Sequence, residues 1–350
     1  MRTPSQGPGD GVWVARSRRV HEKAVMNILL YEWCCSGGLA GCGTGGERQG
    51  IAAEGRAMLE ALAADAVRDG GLDVTVLVDR MQPIELPGAV RAVGVQDDDV
   101  AALVAAAREA DWTMIVAPET DGILRSRVGA VRAAGGRVLG ACDRFIGIAA
   151  DKQATIDALA GAGVPVPAGR TLAAGERVPA GFHMPAVLKA RDGVGCDGFR
   201  VCALPPPGCV ERAGRLEAFV PGIPVGVSCL CGPRGIAVLE PLRQVFTAAD
   251  PPRYVGGEPP ASASAADRAR SLARRSVLAV MRAAGPGPSL GWVGVDMILG
   301  ERDDGRADRV LEVNPRLTTS FVRLAASSPR SLVRTMIDLA DTTSVRDGAA

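Results

Sequence analysis

Two stretches decide the fold: GWVGVDMIL at residues 291–299 and RVLEVNPRLTTS at residues 309–320. Both alternate with the period of a pleated strand. Val293, Val295, Met297 and Leu299 fall on one face and Asp296 on the other. Leu311 and Val313 likewise share a face, opposite Glu312 and Asn314. The intervening GERDDGRAD is polar and contains glycine, which predicts an antiparallel hairpin with a longish loop. Pairing across that loop brings Asp296 into the neighbourhood of Glu312, so that two carboxylates and the Asn314 amide oxygen converge. The apolar flanks place these strands centrally, and a buried carboxylate needs a partner. Hard oxygen donors of this kind suit Mg²⁺ (or Mn²⁺), usually held by one or two carboxylates together with substrate phosphates. Arg316, just beyond, is a fixed cation suited to a phosphate or carboxylate. The expectation is a nucleotide-phosphate site.

Upstream, LKARDGVGCDGFRV at 188–201 supplies the complement. A strand over Ala186–Ala190 presents Lys189, and Gly193, Gly195 and Gly198 let backbone N–H groups approach a phosphate closely. Lys152 opens a short helix over 151–163. Residues 216–220, LEAFV, form a strand running into Pro221-Gly222, a break that can offer backbone groups of Glu217, Ala218, Phe219 and Val220 to an adenine edge. Taken alone, the glycine loop reads equally as a hairpin turn, Lys152 as a solvated surface residue, and 216–222 as an ordinary strand and turn.

The remaining chain sets these pieces in order. Residues 26–150 alternate strand and helix, with strands at 27–31, 74–78, 89–95, 112–117 and 137–139 and helices at 49–68, 97–109 and 122–134. Such alternation means a small parallel sheet with helices on both faces, and ligands then sit at the strand carboxyl ends. Glu32, followed by Ser36-Gly37-Gly38, and Glu119 in APETDG are the candidates there. The glycine-rich GGLAGCGTGG at 37–46 reads as a loop over the site, because it lacks the order of a dinucleotide fingerprint. Strand-rich sequence follows, at 186–190, 199–203, 216–220, 225–231 and 235–239. A long helix over 263–284 precedes the hairpin, and a final helix spans 331–340.

Bulk properties narrow the function. A formal charge of +1, from 40 basic and 39 acidic residues, gives no electrostatic footprint for nucleic acid or an anionic membrane. No apolar run approaches the roughly eighteen residues a spanning helix needs. Nine cysteines, an odd count in 350 residues, argue against a disulfide framework and for a reducing, cytoplasmic setting. Paired CxxC spacing is missing and only His21 and His183 are present, so zinc is not expected. Residues 1–25 are polar, basic and rich in Pro and Gly, without the apolar core of a signal peptide. They read as a disordered extension or as an upstream start, with Met26 opening the domain.

In order and spacing, Lys152, Lys189 with its glycine loop, the 217–220 segment, Asp296 and Glu312-Val313-Asn314-Pro315-Arg316 resemble the ATP-grasp superfamily over residues 26–340. YEWCCSGGL, APETDG, LRQ, YVGGEPP and LEVNPRLTTSFV look like the branch typified by the tyramine–glutamate ligase of methanofuran biosynthesis. The resemblance implies a mixed α/β chain: an N-terminal parallel-sheet α/β domain over 26–150, then an ATP-grasp fold of two α+β subdomains. These would span 151–220, with the glycine-rich loop, and 221–342, with the metal site, before a tail at 343–350. It further implies ATP phosphates on Lys152 and Lys189, and the loop containing Gly193, Gly195 and Gly198 closing over them. Adenine would lie on the backbone of Glu217 to Val220, Mg²⁺ (or Mn²⁺) on Asp296, Glu312 and Asn314, and the acyl phosphate by Arg316. Many members place a Glu past the hinge to hold the ribose; Pro224 and Val225 stand there, leaving the ribose contact unassigned. For the substrates, Arg243 suits an amino-acid carboxylate, with Gln244 beside it, and Tyr254 an aromatic amine, although a loop salt bridge and a turn explain that region equally well. Glu32 and Glu119 are candidates for the amine's charge.

The implied activity is ATP-dependent joining of glutamate to tyramine or a similar amine. Partners would be small amino-acid and amine substrates, with no nucleic acid and no membrane, and a homodimer left open. Two alternatives stand beside it: a ligase of the same superfamily for other amino-acid-like substrates, and a nucleotide-binding regulator without catalysis.

Overall fold

The computed structural model describes residues 25–39, 46–81, 84–96, 98–193, 199–205, 208–248, 254–287 and 291–341. Residues 1–24 and 342–350, Gly195, Gly198 and most of the 37–46 glycine loop lie outside the described residues.

The N-terminal unit begins with β1 (Met26–Glu32), α1 (Gly46–Arg68), β2 (Leu72–Asp79) and β3 (Arg91–Val95). It continues with α2 (Asp99–Ala107), β4 (Trp112–Val116) and α3 (Ile123–Ala133). Its four strands are parallel in the order β3-β2-β1-β4. Near-continuous apolar runs such as WTMIV, buried throughout, are what a sheet covered on both faces demands. The strand order reverses direction between β1 and β4, and such a switch point opens a crevice at the carboxyl ends of those strands. Glu32 ends β1 and Glu119 follows β4, so both stand at that crevice. The expected strand at 137–139 is reduced to a single bridge, Thr113 to Val138. Asp98 caps α2, its carboxylate accepting from the N–H groups of Val100 and Ala101.

Two further helices, α4 (Asp143–Ala149) and α5 (Lys152–Gly161), lead into an antiparallel sheet. Its strands are β5 (Gly169–Leu172), β6 (Ala186–Ala190), β7 (Arg200–Cys202) and β8 (Gly214–Ala218), in the order β5-β8-β6-β7. A small core of Leu172, Val178, Ala186, Val210 and Leu216 holds it.

The larger antiparallel sheet comprises β9 (Ile223–Gly232), β10 (Gly235–Val238), β11 (Leu242–Phe246), β12 (Tyr254–Glu258), β13 (Gly291–Leu299) and β14 (Arg309–Asn314). The order is β12-β11-β9-β13-β14, with β10 also on β9. Its apolar face packs on α6 (Ala263–Ala284), whose buried stripe includes Ala269, Leu272, Ala273, Val277 and Val280. Two helices, α7 (Ser320–Ser327) and α8 (Leu332–Ala340), return to the N-terminal unit. There Asp65 of α1 accepts from Ser331 Oγ and Val333 N, both at 2.9 Å, capping α8 from another domain. The chain is therefore a mixed α/β protein with a parallel-sheet N-terminal domain followed by antiparallel-sheet units.

One expectation about the hairpin is corrected. Asp296 pairs with Glu312, but Met297 pairs with Val310, so Leu311 is the extra residue of a bulge. Val310 and Val313, not Leu311 and Val313, are the buried pair on the core face. Residues 242–246 and 254–258, for which a loop salt bridge with a turn and a substrate pocket stood as equal alternatives, are strands β11 and β12. Among the described residues no helix is long and apolar enough to cross a membrane, and none of the described cysteines is in a disulfide.

Candidate active site

The site forms where β13 and β14 face the start of α5 and the end of β6. The register of β13 against β14 sets Asp296 directly across from Glu312. On the other side, β9 places Gly226 opposite Asp296; a Cβ there would come within 3.3 Å of both the Gln244 amide and the Asp296 carboxylate. That missing side chain lets Gln244 of β11 reach across β9. Its Nε2 donates to Asp296 Oδ1 at 2.8 Å, and Asn314 Nδ2 donates to Asp296 Oδ2 at the same distance.

Burial, and then the charge of Glu312, pushes the Asp296 carboxyl up to about 7, against the pull of Asn314 and Gln244. Burial works to raise Glu312 as well, but Lys152, Lys189 and Arg316 outweigh it and hold Glu312 below the ordinary carboxylate value. Lys152 Nζ lies 3.5 Å from Glu312 and donates to the carbonyl of Gly193 at 2.6 Å. The helix start that carries Lys152 is fixed by Asp151, whose carboxylate accepts from the N–H groups of Gln153 and Ala154. Lys152 is buried, so the solvated-residue alternative fails.

Lys189 Nζ sits 2.8 Å from Glu217, itself buried on β8. The strand ends at Ala218, so Phe219 and Val220 belong to the following connection; Phe219 is exposed. Arg316 is largely buried, donating through Nε to Glu119 at 2.9 Å and through Nη1 to Leu317 O. The second oxygen of Glu119, Oε1, is buried without a partner among the described residues. Arg316 also faces Glu54 of α1, whose carboxyl is raised by partial burial and held back by that guanidinium.

Glu32 is buried at the switch point, accepting from Cys35 N at 2.8 Å, and burial raises its carboxyl. Gly55 of α1 lies flush against it: a Cβ would stand 2.6 Å from Glu32 Oε1. Tyr254 hydrogen-bonds Thr319 and lies within the fields of Asp296, Glu54 and Arg323. It therefore borders the cluster.

Arg243 does not join it. Strand alternation turns Arg243 to the face opposite Gln244, where it pairs with Glu258 and remains 42% exposed. This is the loop salt bridge that the sequence left open, formed between two strands. Sequence reasoning missed Glu54, which carries no local signal on its helix. It also missed Arg215, which did carry one: charged residues two apart, Arg215 and Glu217, in an otherwise buried strand.

The donor set fits a hard divalent cation. Two facing carboxylates, one pushed toward its neutral form by burial and then by the other's charge, are relieved by a cation between them. Among the described residues no three His, Cys, Asp or Glu side chains converge, so such a cation would complete its shell from elsewhere, as Mg²⁺ does with phosphates and water.

No curated protein matches the chain. Residues 149–320 match the ATP-grasp domain family, and residues 72–144 the pre ATP-grasp 3 domain. An ATP-grasp superfamily protein from Archaeoglobus fulgidus superposes with a TM-score of 0.66 at 20% identity, over 91% of this chain and 89% of that one. The ADP complex of N5-carboxyaminoimidazole ribonucleotide synthetase gives 0.65 at 18% identity, over 90% and 77%. D-alanine–D-alanine ligase from Bacillus anthracis, complexed with ATP, gives 0.58 at 16% identity, over 90% and 97%. With its strand order, its lysines on α5 and β6 and its carboxylate hairpin, the chain carries an ATP-grasp domain over residues 149–320, preceded by a pre ATP-grasp domain over 72–144.

Proposed function

We propose that the protein is an ATP-dependent carboxylate–amine ligase working through an acyl phosphate, joining glutamate to tyramine or a similar amine. The observation that carries this reading is Glu312. It faces Asp296 across a strand pair while lying within the fields of two buried lysines from different elements. That arrangement offers cation-binding oxygens and phosphate-binding ammonium groups within one cleft.

A carboxylate is a poor acyl donor until its oxygen becomes a phosphate. Its oxygen attacks the γ-phosphorus of ATP, the bond to the bridging oxygen breaks, and ADP leaves. The amine, once its ammonium proton has passed to a neighbouring carboxylate or to water, attacks the acyl carbon, forming the amide and releasing phosphate, which carries off the second proton. Bringing the acid to ATP sets anion against anion, and Lys152, Lys189 and Arg316 offset that repulsion. A bound Mg²⁺ or Mn²⁺ would neutralise charge on the phosphate oxygens, held by Asp296, Glu312 and Asn314. Gly193, with Gly195 and Gly198, would border the triphosphate, and backbone groups of Glu217 to Val220 would meet adenine. Glu119 and Glu32, at the switch point beside Arg316, would hold the positive end of the amine, with Tyr254 along its ring.

ADP release on adding glutamate and tyramine together tests the reading; release that needs neither substrate, or none with any pair despite ATP binding, contradicts it. Release only with other pairs selects a ligase for other amino-acid-like substrates. One observation favours that second reading: Arg243, the residue expected to take the glutamate carboxylate, is engaged by Glu258 away from the cluster.

A further inference from the structure

Behind the two lysines lies a buried charge network that the proposed reaction does not use. On β8, Arg215 and Glu217 share a face, and each side chain is only 2% exposed. Lys189 is the cross-strand partner of Arg215 on β6, with Glu217 one pleat along. Two like charges directly opposite one another destabilise a strand pair unless something separates them. Glu217 does: Oε2 takes Lys189 Nζ at 2.8 Å, and Oε1 takes Arg215 Nε at 2.8 Å. The remaining Arg215 donors reach Gln153 Oε1, next to Lys152 on α5, and the carbonyl of Pro167 at 3.5 Å.

One carboxylate thus serves two buried cations. A buried Lys–Glu pair by itself is electrically neutral, and a phosphate arriving at Lys189 would compete with Glu217 for it. Arg215 changes that balance, because a guanidinium does not shed its proton and this one is pinned by three acceptors, Glu217 Oε1, Gln153 Oε1 and the Pro167 carbonyl. Stability does not call for an arginine here, since apolar residues of similar volume commonly replace buried ion pairs without loss. We infer that Arg215 is a positioning residue: by occupying Glu217, and by tying α5 through Gln153, it leaves the Lys189 charge available to the phosphate of a nucleoside di- or triphosphate. This rests on the nucleotide reading above. Arg215 itself lies behind both lysines and is not a catalytic residue.

The test compares ADP with adenosine, which lacks phosphate, by calorimetric or competition binding to the full chain. Arg215→Met should weaken ADP about tenfold or more, the scale of a charge-assisted contact, and leave adenosine unchanged. Glu217→Gln added to Arg215→Met removes the competing carboxylate charge and should recover most of the lost ADP affinity; Arg215→Lys should retain part of it. Equal losses for ADP and adenosine, or a double variant no better than Arg215→Met, would mean a purely structural role and overturn the inference. Wild-type ADP affinity in Arg215→Met would overturn it too. Wild-type protein that binds no ADP instead removes the nucleotide reading, and this inference with it.

Discussion

Lys152, at the first turn of a helix, and Glu312, on a strand far along the chain, meet at 3.5 Å and so join the two halves of the candidate site. Neither residue has a local reason to be buried. Lys152 is held by the Gly193 carbonyl as well, and Glu312 by the combined positive charge of Lys152, Lys189 and Arg316. Neutralising either member should therefore remove activity without unfolding the chain. Glu312→Gln and Lys152→Met are each expected to lower kcat for ADP formation by at least about a hundredfold, with thermal melting little changed. Near-wild-type turnover in Glu312→Gln would place the chemistry elsewhere.

Gln244 touches Asp296 but offers it only a hydrogen bond. That donor pulls the Asp296 carboxyl down, so its removal lets burial and Glu312 push the group further above about 7. Divalent metal needs the ionised form, so its affinity should rise with pH through neutrality. Gln244→Leu should weaken Mn²⁺ binding about ten- to a hundredfold and move the rise to higher pH, as read by electron paramagnetic resonance. A pH-independent affinity in both proteins would contradict the assignment of Asp296.

Two helical glycines should respond in opposite directions to the same change. A Cβ on Gly55 would stand 2.6 Å from the buried Glu32 carboxylate, whereas one on Gly129 of α3 meets nothing within 4 Å. Gly55→Ala should destabilise the protein by about 1–3 kcal/mol through overpacking, and Gly129→Ala should stabilise it by about 0.5–1 kcal/mol. Urea denaturation distinguishes them; equal effects would mean that α1 does not press on Glu32.

Asp151 caps the helix that presents Lys152. Burial works to raise its carboxyl, but Arg191 and the N–H groups of Ala154 and Gln153 prevail and hold it below the ordinary 3.8. A depressed native value means that the group stabilises the fold above the unfolded value and stops doing so as acidification passes the native one. Asp151→Ala should cost about 1 kcal/mol at pH 7 and weaken ATP binding by displacing Lys152, and the stability difference should fade below about pH 4. A difference that persists at pH 2 would exclude the charged cap.

Much of this was legible in the chain. The alternation in GWVGVDMIL and RVLEVN is a period-two pattern that only a half-buried strand satisfies, and the hairpin with its Asp296–Glu312 pairing follows from it. The helix over 263–284 was equally open to reading. The bulge at Leu311 was not, because it depends on how β14 bends against a neighbour. Nor was the direction of Arg243: in β11 the alternate residues Arg243 and Gln244 look equally polar, and only the position of β9 decides which one faces Asp296.

By itself, then, the sequence determined which segments become strands and helices, and which polar residues sit among apolar neighbours that will not tolerate them unpaired. Periodicity and burial energy act locally and leave a trace residue by residue. The tertiary structure alone decided which charges meet: Lys152 with Glu312, Arg316 with Glu119, and Arg215 with both Glu217 and Gln153. Those contacts depend on sheet order and on the reach of side chains between elements, and Coulomb forces between residues far apart in the chain write no pattern into it.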